Sequence, residues 1–239
     1  MCTVTYIPQP KGFVLTSNRD EKSFRETIAP QKYEENGTTV CYPKDALAGG
    51  SWIAMGNNGR VVCLLNGAFI PHTKQSFHTL SRGKVLIEAA SAKLKPDGLF
   101  SAESLQNTEP FTLLTLDFDQ HEIIEFSELV WDGKDKHHRK LNTNQFYIWS
   151  SVTLYSEANR KERKGWFHQF LKENKMNPSA ADLMKFHSGN HTNDNTVNVI
   201  MEREGGLKTV STTQIIQEGN RLEMNYSDLI SHTNYSVQL

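Results

Sequence analysis

At 239 residues, with 37% hydrophobic and 22% charged residues, the chain is long enough to bury a substantial core and is expected to form one domain over residues 1–239. A net charge of -1 gives no electrostatic footprint for nucleic acid, and no apolar run is long enough for membrane insertion. No basic-then-apolar leader opens the chain, and its three cysteines, Cys2, Cys41 and Cys63, lack CxxC spacing; both features predict a reducing, cytoplasmic setting.

In chain order, strands are predicted over residues 2–7, 12–17, 38–42, 52–55 and 61–65. Turn chemistry separates them at Pro8-Gln9-Pro10-Lys11-Gly12, Gly49-Gly50 and Asn57-Asn58-Gly59. The last of these joins two apolar runs and predicts a hairpin. A helix is predicted over 81–94, where Val85, Leu86, Ala89, Ala90 and Leu94 recur at helical spacing before Asp97-Gly98 ends it. Strands follow over 111–116 and 122–126, and the charged stretch 132–140 reads as a solvated loop. An amphipathic helix is predicted over 156–173. Trp166, Phe167, Phe170 and Leu171 form its apolar stripe; Arg160, Lys161, Glu162, Arg163 and Lys164 form its wet face. A short helix opens at Ser179 with Asp182 in a near capping box. Strands close the chain over 196–201, 207–213 and 222–226. Many strands around mid-chain helices, without regular βαβ alternation, predict α+β layers with the sheets in the centre.

The first two strands form a hairpin around Pro10 whose partners sum to about 20. Ile7 then faces Phe13 and Cys2 lies near Asn18, with a slip of one or two residues allowed by the long turn. Cys2 thus approaches Arg19 and Asp20. If Met1 is removed, Cys2 carries a thiol and an α-amine on one residue. With a reference pKa near 7.7–8.0, roughly a tenth to a fifth of that amine is neutral at pH 7 and can accept the thiol proton. A nearby guanidinium, Arg19, favours the thiolate. Asp20 can pair with Arg19 or orient the terminal ammonium. Asn66, at the end of the strand Val61–Leu65 and beside Gly67, is the candidate oxyanion donor. Each feature also has a plain structural reading: Arg-Asp-Glu as a solvated turn, Asn-Gly as a turn.

Met1-Cys2-Thr3, Asn18-Arg19-Asp20-Glu21, Gly49-Gly50-Ser51-Trp52-Ile53, Asn58-Gly59-Arg60 and Leu64-Leu65-Asn66 together resemble the NRDE family, also called the transport and Golgi organisation 2 family. Ile148-Trp149-Ser150-Ser151 and Asn195-Thr196 extend the likeness over nearly the whole chain. That family is similar to the N-terminal-nucleophile hydrolases, particularly their cysteine branch. The resemblance implies a four-layer αββα sandwich and hydrolysis of a non-peptide amide bond. Cys2 would be the nucleophile, Arg19 and Asp20 its neighbours, and Asn66 the oxyanion donor. Asn18, Trp52 and Ser150, in the same motifs, would line the substrate. The sequence departs from the pattern at Ser151, where the family carries asparagine, and over His191–Asn195, where an arginine commonly precedes the last core strand.

His187 and His191 stand four apart, but Ser188-Gly189-Asn190 reads as a helix exit, so no metal and no cofactor are expected. The rival to hydrolysis is a non-catalytic protein that binds or moves a lipid-like ligand or haem in a pocket lined by Trp52, Phe69, Trp131, Tyr147, Trp149 and Tyr155. Under either reading the partner is a small molecule. The sequence specifies no oligomeric state.

Overall fold

The computed structural model describes residues 3–119 and 122–239. Strand β1 (Thr3–Gln9) turns into β2 (Gly12–Lys22), then β3 (Thr27–Glu35), β4 (Thr38–Asp45), β5 (Ile53–Gly56) and β6 (Arg60–Asn66). Helices α1 (Arg82–Ser91) and α2 (Ala102–Leu105) precede β7 (Phe111–Phe118), β8 (Ile123–Trp131), β9 (Lys136–Lys140) and β10 (Tyr147–Ser150). Helices α3 (Glu157–Glu173) and α4 (Ala180–Ser188) follow. The chain closes with β11 (Glu202–Arg203), β12 (Leu207–Glu218), β13 (Arg221–Asp228) and β14 (Thr233–Gln238).

Among the described residues these strands make two antiparallel sheets. One runs β10-β1-β2-β12-β13-β14, with β11 beside β12; the other runs β3-β4-β5-β6-β7-β8-β9. Side-chain alternation builds the layers from there. On β6, Val61, Cys63 and Leu65 face the other sheet, meeting Val4, Tyr6, Phe13 and Leu15 from β1 and β2. Val62 and Leu64, one residue out of phase, face Val85, Leu86 and Ala89 of α1. On the first sheet Ile7 and Val14 turn outward to Phe167 and Leu171 of α3 and Leu183 and Phe186 of α4. The result is an αββα sandwich, as the resemblance implies.

The opening hairpin pairs Thr3 with Asn18 and Ile7 with Val14, a one-residue slip within the range its long turn allows. Other sequence expectations need correction. Helix α1 ends at Ser91, and Pro96–Gly98 is a separate 3-10 turn. The charged stretch at 136–140 is an edge strand, β9, hydrogen-bonded to β8, although it stays largely exposed. Residues 196–201 form no strand. Their backbone carbonyls are taken by side chains instead: Arg163 holds those of Val197 and Asn198, and Asn18 holds that of Val199. With those acceptors satisfied, a ladder is not needed. Strand β2 also runs five residues beyond the predicted Ser17, because pairing with β12 carries the polar Asn18–Lys22 stretch into the sheet.

Candidate active site

The pleat of β2 divides the Asn18–Asp20 stretch. Arg19 shares the parity of Phe13, Leu15 and Ser17 on the face toward the second sheet, whereas Asn18 and Asp20 face the α3–α4 layer. A bulge between Thr209 and Ser211 in β12 lies opposite Arg19 and Asp20 and re-aims the partner strand at this point. Asn18 is fully buried. Its amide nitrogen donates to the carbonyls of His187 and Val199, both at 3.0 Å, and its Oδ1 accepts from Thr212 Oγ1 at 3.0 Å. The His187 ring bridges Asn18 Oδ1 (3.0 Å) and Thr5 Oγ1 (2.7 Å), and burial pulls its pKa down to about 3. A neutral ring fits that bridge, with Nδ1–H donating to Asn18 and Nε2 accepting from Thr5.

Asp20 accepts from Tyr155 Oη at 2.7 Å and Thr209 Oγ1 at 2.6 Å. It is therefore not the partner of Arg19, as one sequence reading allowed. That partner is Asp45, whose Oδ2 lies 2.6 Å from Arg19 Nη2. Arg19 Nη1 donates to Thr27 Oγ1 and the Arg25 carbonyl, and its guanidinium carbon lies 4.6 Å from the Trp52 ring centroid. Burial lowers the Arg19 pKa while Asp45 pushes it back up; a guanidinium so placed stays charged.

Arg163 corrects the wet face assigned to the long helix: it is fully buried. It donates to Thr3 Oγ1 and to the carbonyls of Val197 and Asn198, and lies 3.5 Å from the Tyr155 ring centroid. Helix α3 thus anchors the start of β1. The side chain continues the line of the apolar stripe (Phe167 is four residues on), but its charge hid that in the sequence.

Arg19, Trp52 and Asn66 line one cavity of about 310 Å³. Asn66 and Ser150 line a second, of about 560 Å³, whose walls include Phe69, Tyr147 and Trp149. Asn66 is therefore common to both. The Ser151 hydroxyl donates to the Asn66 carbonyl at 2.7 Å, which fixes the end of β6 against the segment after β10. Gly67, at φ 90°, fits because a Cβ there would lie 3.0–3.3 Å from Val152 and Thr153. Ser150 pairs with Thr3, so the end of β10 and the start of β1 are adjacent.

The structure brings Arg19, Trp52, Asn66 and Ser150 to the rims of these two cavities and sets Asn18 and Asp20 on the opposite face of β2. Cys2 lies outside the described residues. Cys41 and Cys63 are buried, and burial pushes both thiols up to about 12. Of the proposed aromatic pocket, Phe69, Tyr147 and Trp149 line the larger cavity and Trp52 the smaller. Trp131 and Tyr155 are core, bonded to the Thr108 carbonyl and to Asp20. Among the described residues no group of three or more His, Cys, Asp or Glu side chains could hold a metal, and no helix is long and apolar enough to cross a membrane. Sequence reasoning missed Asp45 and gave Arg163 and Tyr155 other roles, a wet helix face and a pocket wall, whereas all three support the site from distant segments. Only an expectation that buried Arg19 needs a carboxylate could have pointed to the first.

A family model for Transport and Golgi organisation 2 matches residues 1–227. No curated protein matches the chain by sequence. Among solved structures, the chain is similar to a Caenorhabditis elegans N-acylethanolamine-hydrolyzing acid amidase ortholog at 14% identity and a TM-score of 0.51, covering 90% of this chain and 92% of that one. It is similar to a mutant conjugated bile acid hydrolase from Clostridium perfringens at 10% identity and a TM-score of 0.60, covering 100% and 92%. A penicillin V acylase from Agrobacterium tumefaciens aligns at 9% identity and a TM-score of 0.57, covering 100% and 86%. These likenesses establish an N-terminal-nucleophile hydrolase fold.

Proposed function

The chain belongs to the transport and Golgi organisation 2 family, and from that premise we propose that it is a hydrolase of a non-peptide amide bond with Cys2 as nucleophile after Met1 is removed. The observation that carries this reading is that Arg19 and Asn66 line one cavity at the end of the sandwich where β1 begins. Cys2 is joined covalently to Thr3, which is paired on both sides and held by Arg163.

In this mechanism the neutral α-amine of Cys2 takes the thiol proton, and the thiolate attacks the amide carbonyl carbon. Arg19, held by Asp45 and Trp52, supplies positive charge that favours the thiolate. The amide of Asn66 donates to the oxyanion of the tetrahedral intermediate. Collapse breaks the C–N bond, and the amine leaves with the proton held by the α-ammonium. Water then attacks the thioester, its proton passing to the same amine, and releases the acid. Asp20 acts through structure in this scheme, holding Tyr155 and Thr209. The amidase neighbours support the reaction class.

The rival reading, a non-catalytic carrier of a lipid-like ligand or haem, draws on the larger cavity and its Phe69, Tyr147 and Trp149 walls. The two readings part at the N-terminus. Mass spectrometry of the native N-terminal peptide, with alkylation of Cys2 followed against pH, decides between them. Hydrolysis requires the loss of Met1 and an alkylation midpoint below the ordinary thiol value of about 8.5. An intact Met1, or a midpoint at or above that value, leaves the carrier reading in its place.

A further inference from the structure

Glu128 stands where a layered sandwich ordinarily holds apolar side chains. On β8 it shares the parity of Phe126 and faces the other sheet, at only 7% exposure. A carboxylate placed there needs donors for its oxygens, and the structure supplies one from each sheet. Arg139 Nε of β9 donates to Oε1, and Trp149 Nε1 of β10 donates to Oε2, both at 2.7 Å. Strands β9 and β10 are edges of the two different sheets, and no ladder joins them among the described residues. The Glu128 carboxylate spans that gap.

All three side chains line the larger cavity. The pair with Arg139 is not reason enough for a buried carboxylate, because that arginine side chain is 65% exposed and ion pairs at the surface contribute little. The bond from Trp149 has the greater consequence. An indole has a single donor, so its partner fixes the direction of the ring. Trp149 also stacks on Tyr147, with centroids 5.3 Å apart and planes at 22°, and meets Phe126 edge-on at 6.2 Å. Tyr147 is held in turn by the connection from β9 to β10, its hydroxyl accepting from the Asn142 N–H at 3.0 Å. Two residues beyond Trp149, the Ser151 hydroxyl holds the Asn66 carbonyl. One short segment therefore sets both the aromatic wall and the end of β6.

We infer that Glu128 is a positioning residue: acting through Trp149, it fixes the aromatic wall of the larger cavity and so sets the preference for the length of the substrate's apolar chain. At about 560 Å³ the cavity falls within the range of about 300–1,000 Å³ usual for small-ligand pockets, and Leu65, Val130 and Phe167 add to its apolar lining. Placing an acyl chain there rests on the amide-hydrolase reading, but the binding can be measured without turnover. Glu128→Gln is the sharp change, since a glutamine amide accepts from only one of Arg139 and Trp149 and turns a donor toward the other.

The test uses the full chain with Cys2→Ala, which cannot turn over, and calorimetric titration with N-ethylbutanamide and N-ethyldecanamide, neutral amides six methylenes apart. A fully buried methylene strengthens binding about fourfold, so the long probe is expected to bind at least a hundredfold more tightly than the short one. Adding Glu128→Gln cuts that preference at least fivefold, while affinity for the short probe changes less than twofold. Trp149→Phe keeps an aromatic ring without the donor and gives the same cut; Glu128→Gln on top of it adds less than twofold. Trp149→Phe removes the same bond, so it carries the test alone if Glu128→Gln does not fold. Equal weakening of both probes would show a merely structural role and overturn the assignment, as would an unchanged preference or fully additive losses in the double variant. Hydrolysis of both amides by the unmutated protein at equal kcat/KM would overturn the assignment while leaving the hydrolase intact. A chain-length preference in binding that Glu128→Gln removes, with no turnover of either amide, would keep the assignment and overturn the hydrolase.

Discussion

Tyr155 donates its hydroxyl to Asp20 at 2.7 Å, across 135 residues of sequence, while the guanidinium of Arg163 covers its ring at 3.5 Å. This one aromatic residue ties the NRDE strand to helix α3. Pleat parity turns Asp20 away from Arg19, and on that helix-facing side Tyr155 and Thr209 donate to its oxygens.

Tyr155→Phe keeps the ring under Arg163 but removes a donor from a buried carboxylate. The expected loss is about 1–3 kcal/mol of unfolding free energy, read from urea denaturation at pH 7. Stability equal to that of the unmutated chain would show that the Asp20 bond contributes nothing.

Arg163→Met removes the donors to Thr3, Val197 and Asn198 and leaves buried carbonyls unpaired. A destabilisation of about 3–5 kcal/mol is expected, together with faster proteolysis within residues 190–201. Arg163→Lys restores the charge but not the fork that reaches three acceptors, so it recovers less than half of the loss. Full recovery by lysine would mean that charge, not geometry, is what the site needs.

His187 makes stability depend on pH. Its folded pKa of about 3 lies below the unfolded value of 6.5, so between those values the unfolded chain binds the extra proton. Its contribution is fully present above pH 6.5 and is lost as pH falls toward 3, with a limiting slope of about 1.4 kcal/mol per pH unit. His187→Gln should remove that slope between pH 6 and pH 4.5 in urea titrations. The prediction fails if the variant and the unmutated chain show the same slope there.

Much of the sandwich was legible from local pattern. The apolar strand-like runs Val61–Leu65 and Phe111–Leu116, the helical spacing of Val85 to Ala90, and the Ser179–Asp182 capping box all place elements where the structure has them. Strands β3, β9, β10 and β14 were not, because edge strands with one wet face carry weak apolar alternation. Residues 196–201 misled in the other direction. Their apolar content suits a strand, but Arg163 and Asn18 take the carbonyls that a strand would pair.

The sequence by itself determined the family motifs, the layered class, and the presence of Arg19, Trp52 and Asn66 as polar or aromatic residues at strand ends. Only the tertiary structure decided which of them meet. Pleat parity, with its period of two, is fixed by register, and a one-residue shift exchanges the faces of a strand. The pairing of Thr3 with Asn18 and the bulge at Thr209–Ser211 therefore set Arg19 toward the cavities and Asn18 and Asp20 toward the helices. The partners that hold them, Asp45, Tyr155 and Arg163, come from segments with no sequence link to the motif. They meet it because buried charges and donors must find partners wherever the packed layers supply them.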